Sequence, residues 1–147
     1  MPRCVNLIAP YGTKFVKADA NFARQLERLD IDIIAYQDEV GVLKTDAGSA
    51  GRYFEALQKV HASVGRARLW ADVEVFQFEG PVYKSALIPA SFQRIRTQLE
   101  DVSPYVENIL IYQYIGMMNK PGTTAFAGHP TSTELYTGYI DWLNKNK

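Results

Sequence analysis

The chain has a single cysteine, Cys4, among 147 residues, which excludes an internal disulfide and a multi-cysteine metal site. It has no apolar run approaching the roughly 20 residues that a membrane-spanning helix needs. Its start, Met1-Pro2-Arg3-Cys4, lacks the roughly 7–15-residue apolar segment of a signal peptide. Localisation therefore stays open, and an extracytoplasmic protein is compatible with a missing N-terminal half. There is no surplus of either charge: 16 Lys and Arg face 16 Asp and Glu. That argues against a dedicated nucleic-acid binder, because phosphate affinity rests on a basic excess. The two histidines, His61 and His129, are not spaced as a metal pair, and neither HExxH nor CxxC occurs. No GxGxxG follows the first apolar run, no GxSxG is present, and Gly12-Thr13-Lys14 lacks the upstream glycine of a phosphate loop. No cofactor and no metal is expected. What remains is a composition of 47% hydrophobic and 22% charged residues, which is that of a globular chain, here read as one α/β domain over 1–147.

Strand and helix patterns alternate along the chain. Short apolar runs at 4–9, 31–37, 67–75 and 107–114 read as strands. Between them lie helical stripes: Phe22, Leu26 and Leu29; Tyr53, Leu57, Val60 and Val64; Phe92, Ile95, Leu99 and Val102; and Leu135, Tyr139, Trp142 and Leu143. Gly65 suits a helix C-cap, Pro89-Ala90-Ser91 a helix start, and Thr131 with Glu134 a capping box. The result is four βα units, with parallel strands and right-handed crossovers. Helix-to-strand links are tight, whereas the strand-to-helix links at 10–18, 38–45, 76–88 and 115–130 are long. In parallel α/β folds ligands bind at the carboxyl ends of the strands, where these long links sit.

The third strand, LWADVEVF over 69–76, carries the most chemistry. Alternation puts Leu69, Ala71, Val73 and Val75 on one wholly apolar face, toward the helices, and Trp70, Asp72, Glu74 and Phe76 on the other. Two acids on a central strand are costly unless they line a solvated cavity or are paired. Glu74 is thus a candidate catalytic carboxylate with Asp72 one layer deeper; the alternative is a buried ion pair with Arg66 or Arg68. Asp38 stands at the end of the second strand, between Gln37 and Glu39, with Gly41 permitting a tight turn behind it. Paired carboxylates on neighbouring strands can divide acid and base roles when their surroundings separate their pKa values. Tyr11, Tyr36, Trp70, Phe76, Phe78, Tyr83, Tyr112 and Tyr114 concentrate aromatic rings near the same end, where rings with polar tips suit stacking on sugars.

The runs IAYQDEVGV at 34–42, LWADVEVF at 69–76, IPASFQRIRTQLE at 88–100 and ILIYQY at 109–114 come in order, followed by the helix at 135–143. Together they resemble the C-terminal half of a bacterial family of glycoside-hydrolase-like (β/α)8 barrels of unknown function. In that family a strand ending QDG(V/I)G, a strand LWxNxExF and a helix PASxxRIxxQL recur. Here Glu39 stands in place of the family's glycine and Asp72 in place of its asparagine. The resemblance points to Gln37, Asp38, Trp70, Asp72, Glu74 and Phe76; with the strand-end residues already named, Glu74 and Asp38 are expected to be catalytic, and Trp70, Asp72, Gln37, Glu39, Phe76, Tyr114 and Tyr11 to bind substrate. A second acid at 72 is expected to raise the pKa of Glu74 if both ionise. A complete barrel takes about 250 residues, so the chain is expected to be half of a TIM barrel. If its units are the last four, Glu74 lies on the seventh strand, where retaining glycosidases of the large barrel clan hold their nucleophile.

The expected function is hydrolysis of a glycosidic bond by paired carboxylates, and the alternative is a non-catalytic carbohydrate-binding or pseudo-enzyme half-barrel. Expected partners are a carbohydrate and either a second copy of the chain or a missing N-terminal half, with no nucleic acid and no membrane. A flavodoxin-like domain would need a fifth strand, which the pattern lacks.

Overall fold

The computed structural model describes residues 5–10, 20–123 and 128–146, with the side chains of 20–22 and 25 left aside. Tyr11, Cys4 and the Gly12-Thr13-Lys14 run lie outside the described residues. Four strands, β1 (Leu7–Ile8), β2 (Ile33–Gln37), β3 (Arg68–Glu74) and β6 (Asn108–Tyr112), form one sheet in the order β1-β2-β3-β6, every pair parallel. The long helices are α1 (Ala20–Arg28), α3 (Ala50–Val64), α4 (Phe92–Val102) and α5 (Ser132–Lys145).

The sheet order follows the chain order, so each crossover steps the same way. Right-handed crossovers in one direction put all their helices on one face. The packing agrees. Leu26 of α1, Phe54, Leu57 and Val60 of α3, Ile95, Leu99 and Val102 of α4 and Leu135 of α5 share one core with Ile34, Tyr36, Leu69, Ala71, Val73 and Val75. Ile109 and Ile111 of β6 pack against it. The opposite face carries Ile33, Ala35 and Gln37, then Trp70, Asp72 and Glu74, then Asn108, Leu110 and Tyr112, and none of these joins that core. The phase expected for β3 therefore holds.

Local signals account for several boundaries. Gly65 adopts φ 65° and its N–H closes α3 on the His61 carbonyl at 2.9 Å. Ser91 is extended, and its hydroxyl accepts from the Arg94 N–H at 3.3 Å to cap α4.

Other expectations need correction. β1 is only two residues long, and Leu7 and Ile8 are 43% and 36% exposed. Leu29 lies past the end of α1 and is exposed. The link at 38–45 contains a short helix, α2 (Val40–Leu43), and a 3-10 turn (Ala47–Ser49) follows it. The link at 76–88 folds as an antiparallel pair, β4 (Phe76–Phe78) with β5 (Leu87–Pro89), so Pro89 ends a strand rather than opening a helix. Thr131 makes no cap bond: its φ and ψ of −85° and 0° are helical, and its hydroxyl pairs with His129 Nδ1 at 2.9 Å instead.

Candidate functional site

Chain direction places the carboxyl ends of β2 and β3 side by side, with the Asp38 N–H donating to the Asp72 carbonyl at 3.1 Å. Glu74 closes β3 and is 1% exposed. Its Oε2 accepts from the Val42 N–H at 2.8 Å, and the Gly41 N–H adds a second bond. The first turn of α2 is thus a cradle for this carboxylate. Gly41 is needed there for space rather than for the turn expected of it: a Cβ would lie 1.9 Å from the Phe76 carbonyl oxygen and 3.1 Å from Glu74 Oε2.

Asp38, 3% exposed, reaches toward α4. Its Oδ1 accepts from the Glu74 N–H at 3.1 Å and the Val40 N–H at 3.4 Å, and its Oδ2 accepts from Gln98 Nε2. Gln98, fully buried, also reaches the Glu74 carbonyl at 3.4 Å. Arg94 Nη2 donates to the Glu74 carbonyl at 2.8 Å and the Phe76 carbonyl at 2.7 Å. Glu74 is therefore fixed through its carboxylate by α2, through its N–H by Asp38 and through its carbonyl by α4.

Burial governs the titration of this group. Desolvation pushes the Asp38 carboxyl up to about 6, against the opposing pull of its hydrogen bonds from Gln98, Glu74 and Val40 and of the Arg94 charge. Desolvation pushes Glu74 up to about 7, and the negative charge of Asp38 adds to it. The neighbouring acid that matters is thus Asp38, not Asp72 as the strand spacing suggested. Burial also raises Asp72. A carboxyl near 7 is partly protonated at neutral pH and can give or take a proton.

The remaining candidates spread along the sheet. Gln37 lies level with Asp72 on the second face, and Asp72 is 6% exposed. Trp70 sits one layer deeper, level with Ala35 and Asn108, with its Nε1 buried and unpartnered. The Arg68 guanidinium lies 5.7 Å from the centre of the Trp70 ring, and Arg66 Nη1 donates to the Glu27 carbonyl, so neither arginine pairs with an acid of β3. Phe76 belongs to β4 and packs edge-on against Tyr112 at 5.7 Å. Tyr114 lies beyond β6, exposed, with its ring 6.4 Å from Tyr136. The structure brings Glu74 and Asp38 together and leaves Trp70 at a deeper level of the sheet. Arg94 and Gln98 are the site residues that sequence reasoning passed over. The visible signal was a glutamine inside the apolar stripe of Ile95, Leu99 and Val102, four residues after an arginine.

Glu39 occupies a position where the backbone favours glycine. Its φ of 54° and ψ of 17° are left-handed, a conformation that costs a residue with a Cβ roughly 1–2 kcal/mol. It is 8% exposed, and its Oε2 is buried without a hydrogen-bond partner. Among the described residues no group of three or more His, Cys, Asp or Glu is arranged to hold a metal ion.

Comparison with known proteins adds two relationships. The fold is shared with a putative alpha-L-fucosidase from Bacteroides thetaiotaomicron VPI-5482, at a TM-score of 0.70 and 17% sequence identity. The match covers 94% of this chain and 43% of that one, so the chain spans less than half the length of the protein it resembles. No curated protein matches the sequence. Residues 1–125 match the model of a domain of unknown function, DUF4434, and the chain belongs to that family.

Proposed function

We propose that the chain is half of a (β/α)8 barrel of the glycoside-hydrolase type and acts on carbohydrate when the barrel is complete, with Glu74 as the reacting carboxyl. The observation that carries this reading is the position and fixing of Glu74. It ends a central parallel strand, where barrel enzymes place their chemistry, and it is gripped at its carboxylate, N–H and carbonyl. Its raised pKa suits a general acid that protonates the leaving glycosidic oxygen. Asp38, whose two oxygens accept three hydrogen bonds, acts as a positioning residue for Glu74 rather than as its reacting partner. The second reacting carboxyl then comes from the mouth or from the other half of the barrel. Incubating the full-length gene product with a panel of aryl glycosides, aryl α-L-fucoside among them, tests the reading. Turnover that disappears in Glu74→Gln supports it.

A second reading, a non-catalytic sugar-binding half-barrel, draws on the near-complete burial of Glu74 and the occupation of its Oε2 by α2 amides. Sugar binding without turnover selects it.

Support for the half-barrel comes from the sequential strand order, the single face covered by helices and the fucosidase-like neighbour of more than twice the length. β1 and β6 are the edges of the sheet, and sheet edges ordinarily pair or are covered. Both run parallel to their neighbours, so a two-fold axis along the barrel axis would pair the β6 of one copy with the β1 of another. Sedimentation of the 147-residue chain at micromolar concentration is expected to show a dimer. A stable monomer would remove self-closure and leave an N-terminal half as the partner. No helix of the described residues is long and apolar enough to cross a membrane.

A further inference from the structure

A cavity of about 350 Å³ lies on the helix-covered side of β6, away from Glu74. Glu74 is level with Tyr112, the last residue of β6, whereas the cavity reaches down to Asn108, the first. Ile109 and Ile111 form its floor. Its walls are the last turns of two helices, with Leu99 and Glu100 from α4 and Trp142 and Leu143 from α5. Tyr139 stands one turn back from Leu143, and its ring stacks on that of Trp142 at 6.3 Å and 28°. Both rings are half-buried, and Glu100, Glu107 and Asn108 at the rim are exposed, so the cavity is reached from solvent. Its volume is that of a small-molecule site, which runs from about 300 to 1,000 Å³.

The charge around this cavity has one sign. Glu100 and Glu107 line it, and among the described residues no Lys, Arg or His does. Arg96 meets Glu100 Oε1 at 2.7 Å, but the pair is exposed and therefore weak. Arg94 is held at the other end of α4 by the Glu74 and Phe76 carbonyls, and Lys145 of α5 stays off the lining. Both helices end here, and a helix C-terminus carries roughly half a negative charge, which favours cations. The last turn of α4 nevertheless has no base and two acids, Glu100 and Asp101. Asp101 is used inside the fold, where its Oδ2 accepts from the Gly51 N–H at 2.7 Å. The rim carboxylates face solvent instead.

We propose that this cavity is a second ligand site, independent of the reading at Glu74, and that it takes a small organic cation: an ammonium head on an apolar body. The body fills the space between Ile109, Ile111 and Leu99. The head meets the Tyr139 and Trp142 rings, the two helix C-termini and the Glu107 carboxylate, a set that attracts a cation and repels an anion. The test titrates the full 147-residue chain with benzyltrimethylammonium, benzyl alcohol and phenylacetate, which share a ring and differ in charge. The readout is the pair of indole N–H signals in the NMR spectrum. The chain has two tryptophans, and Trp70, on the opposite face of the sheet, is the internal control. The Trp142 signal is expected to move and that of Trp70 to stay. The cation should bind about tenfold more tightly than the alcohol, and phenylacetate most weakly. Glu107→Gln, a change at an exposed position, should lower the cation-to-alcohol ratio about threefold. Trp142→Leu keeps an apolar wall and should abolish the cation preference. Equal binding of the three probes, a ratio that Glu107→Gln leaves unchanged, or movement of Trp70 alone overturns the proposal. So does a Trp142 signal that ignores all three probes and moves only with protein concentration, which would mean that a second copy of the chain fills the cavity.

Discussion

Glu74→Gln is expected to lower turnover by about 10²–10⁴-fold and, at pH 8, to raise the melting temperature. The two effects share one origin. Burial first, and the charge of Asp38 second, hold the folded Glu74 carboxyl at about 7, above its ordinary 4.5. A carboxyl whose folded pKa is raised contributes no penalty below its unfolded pKa, and the fold loses stability as pH climbs through the folded value. By pH 8 the ionised group costs the fold about 3 kcal/mol at most. Glutamine removes that cost and can still accept from the Val42 and Gly41 amides, so part of it is recovered. A rise of about 3–6 °C is expected at pH 8, consistent with 1–2 kcal/mol in a chain of this size. At pH 4 the rise should vanish, because Glu74 is then neutral in both states. Asp38, pushed up to about 6, destabilises in the same direction over a lower pH window. His61 works oppositely: burial holds it down to about 4, so the fold loses stability as pH falls from about 6.5 through that value. Comparing variant with parent at each pH cancels the His61 contribution and leaves, besides Glu74 itself, only its coupling to Asp38. Calorimetry at pH 4 and pH 8 decides the matter, and a melting temperature that falls at both would make Glu74 a structural anchor for α2.

The parts of this site that could be read from the sequence are those governed by local periodicity. Alternation along 69–76 fixed which side chains of β3 face the helices, and the core contains Leu69, Ala71, Val73 and Val75 accordingly. Gly65 and Ser91 do the local work their types suggest. The parts that could not be read depend on distant partners or on elements too short to show a period. α2 has four residues, about one turn, and no amphipathic stripe can be recognised over that length. The β4–β5 pair has three residues a side and follows β3 after a single residue, so its start reads as a continuation of β3. Gln98 meets Asp38 across 60 residues of chain, and only the folded structure shows that the polar interruption in the α4 stripe is the donor for a buried acid. Aromatic abundance misled in a different way. Phe76 with Tyr112, Phe78 with Tyr83 and Tyr114 with Tyr136 pack edge-on against one another, so much of that ring surface is already in use.

Gly41→Ala should be the most destabilising single-methyl change in the region. The added Cβ would stand 1.9 Å from the Phe76 carbonyl oxygen and 3.0 Å from its carbon, both backbone atoms that no rotamer change can move. Relief requires α2 to lift off β4 or β4 to retreat, and each is tied down. The Arg94 Nη2 donates to that same Phe76 carbonyl at 2.7 Å, and the Val42 N–H holds Glu74 at 2.8 Å. Overpacking of this kind costs about 3 kcal/mol or more, which corresponds to a fall of about 6–12 °C in melting temperature for a chain of this length. Gly48→Ala is the control. Its Cβ would meet only Asp46 Oδ2 at 3.6 Å, an ordinary contact, so little change is expected. Thermal denaturation of the two variants side by side separates steric exclusion at Gly41 from any general intolerance of the loop. The consequence for function follows the same geometry. If α2 shifts to admit the methyl group, the Gly41 and Val42 amides leave the Glu74 carboxylate, and the catalytic reading then requires turnover to fall in the fraction that remains folded. A Gly41→Ala protein as stable as its parent would mean that α2 does not pack against β4 at this distance, and the cradle around Glu74 would have to be abandoned.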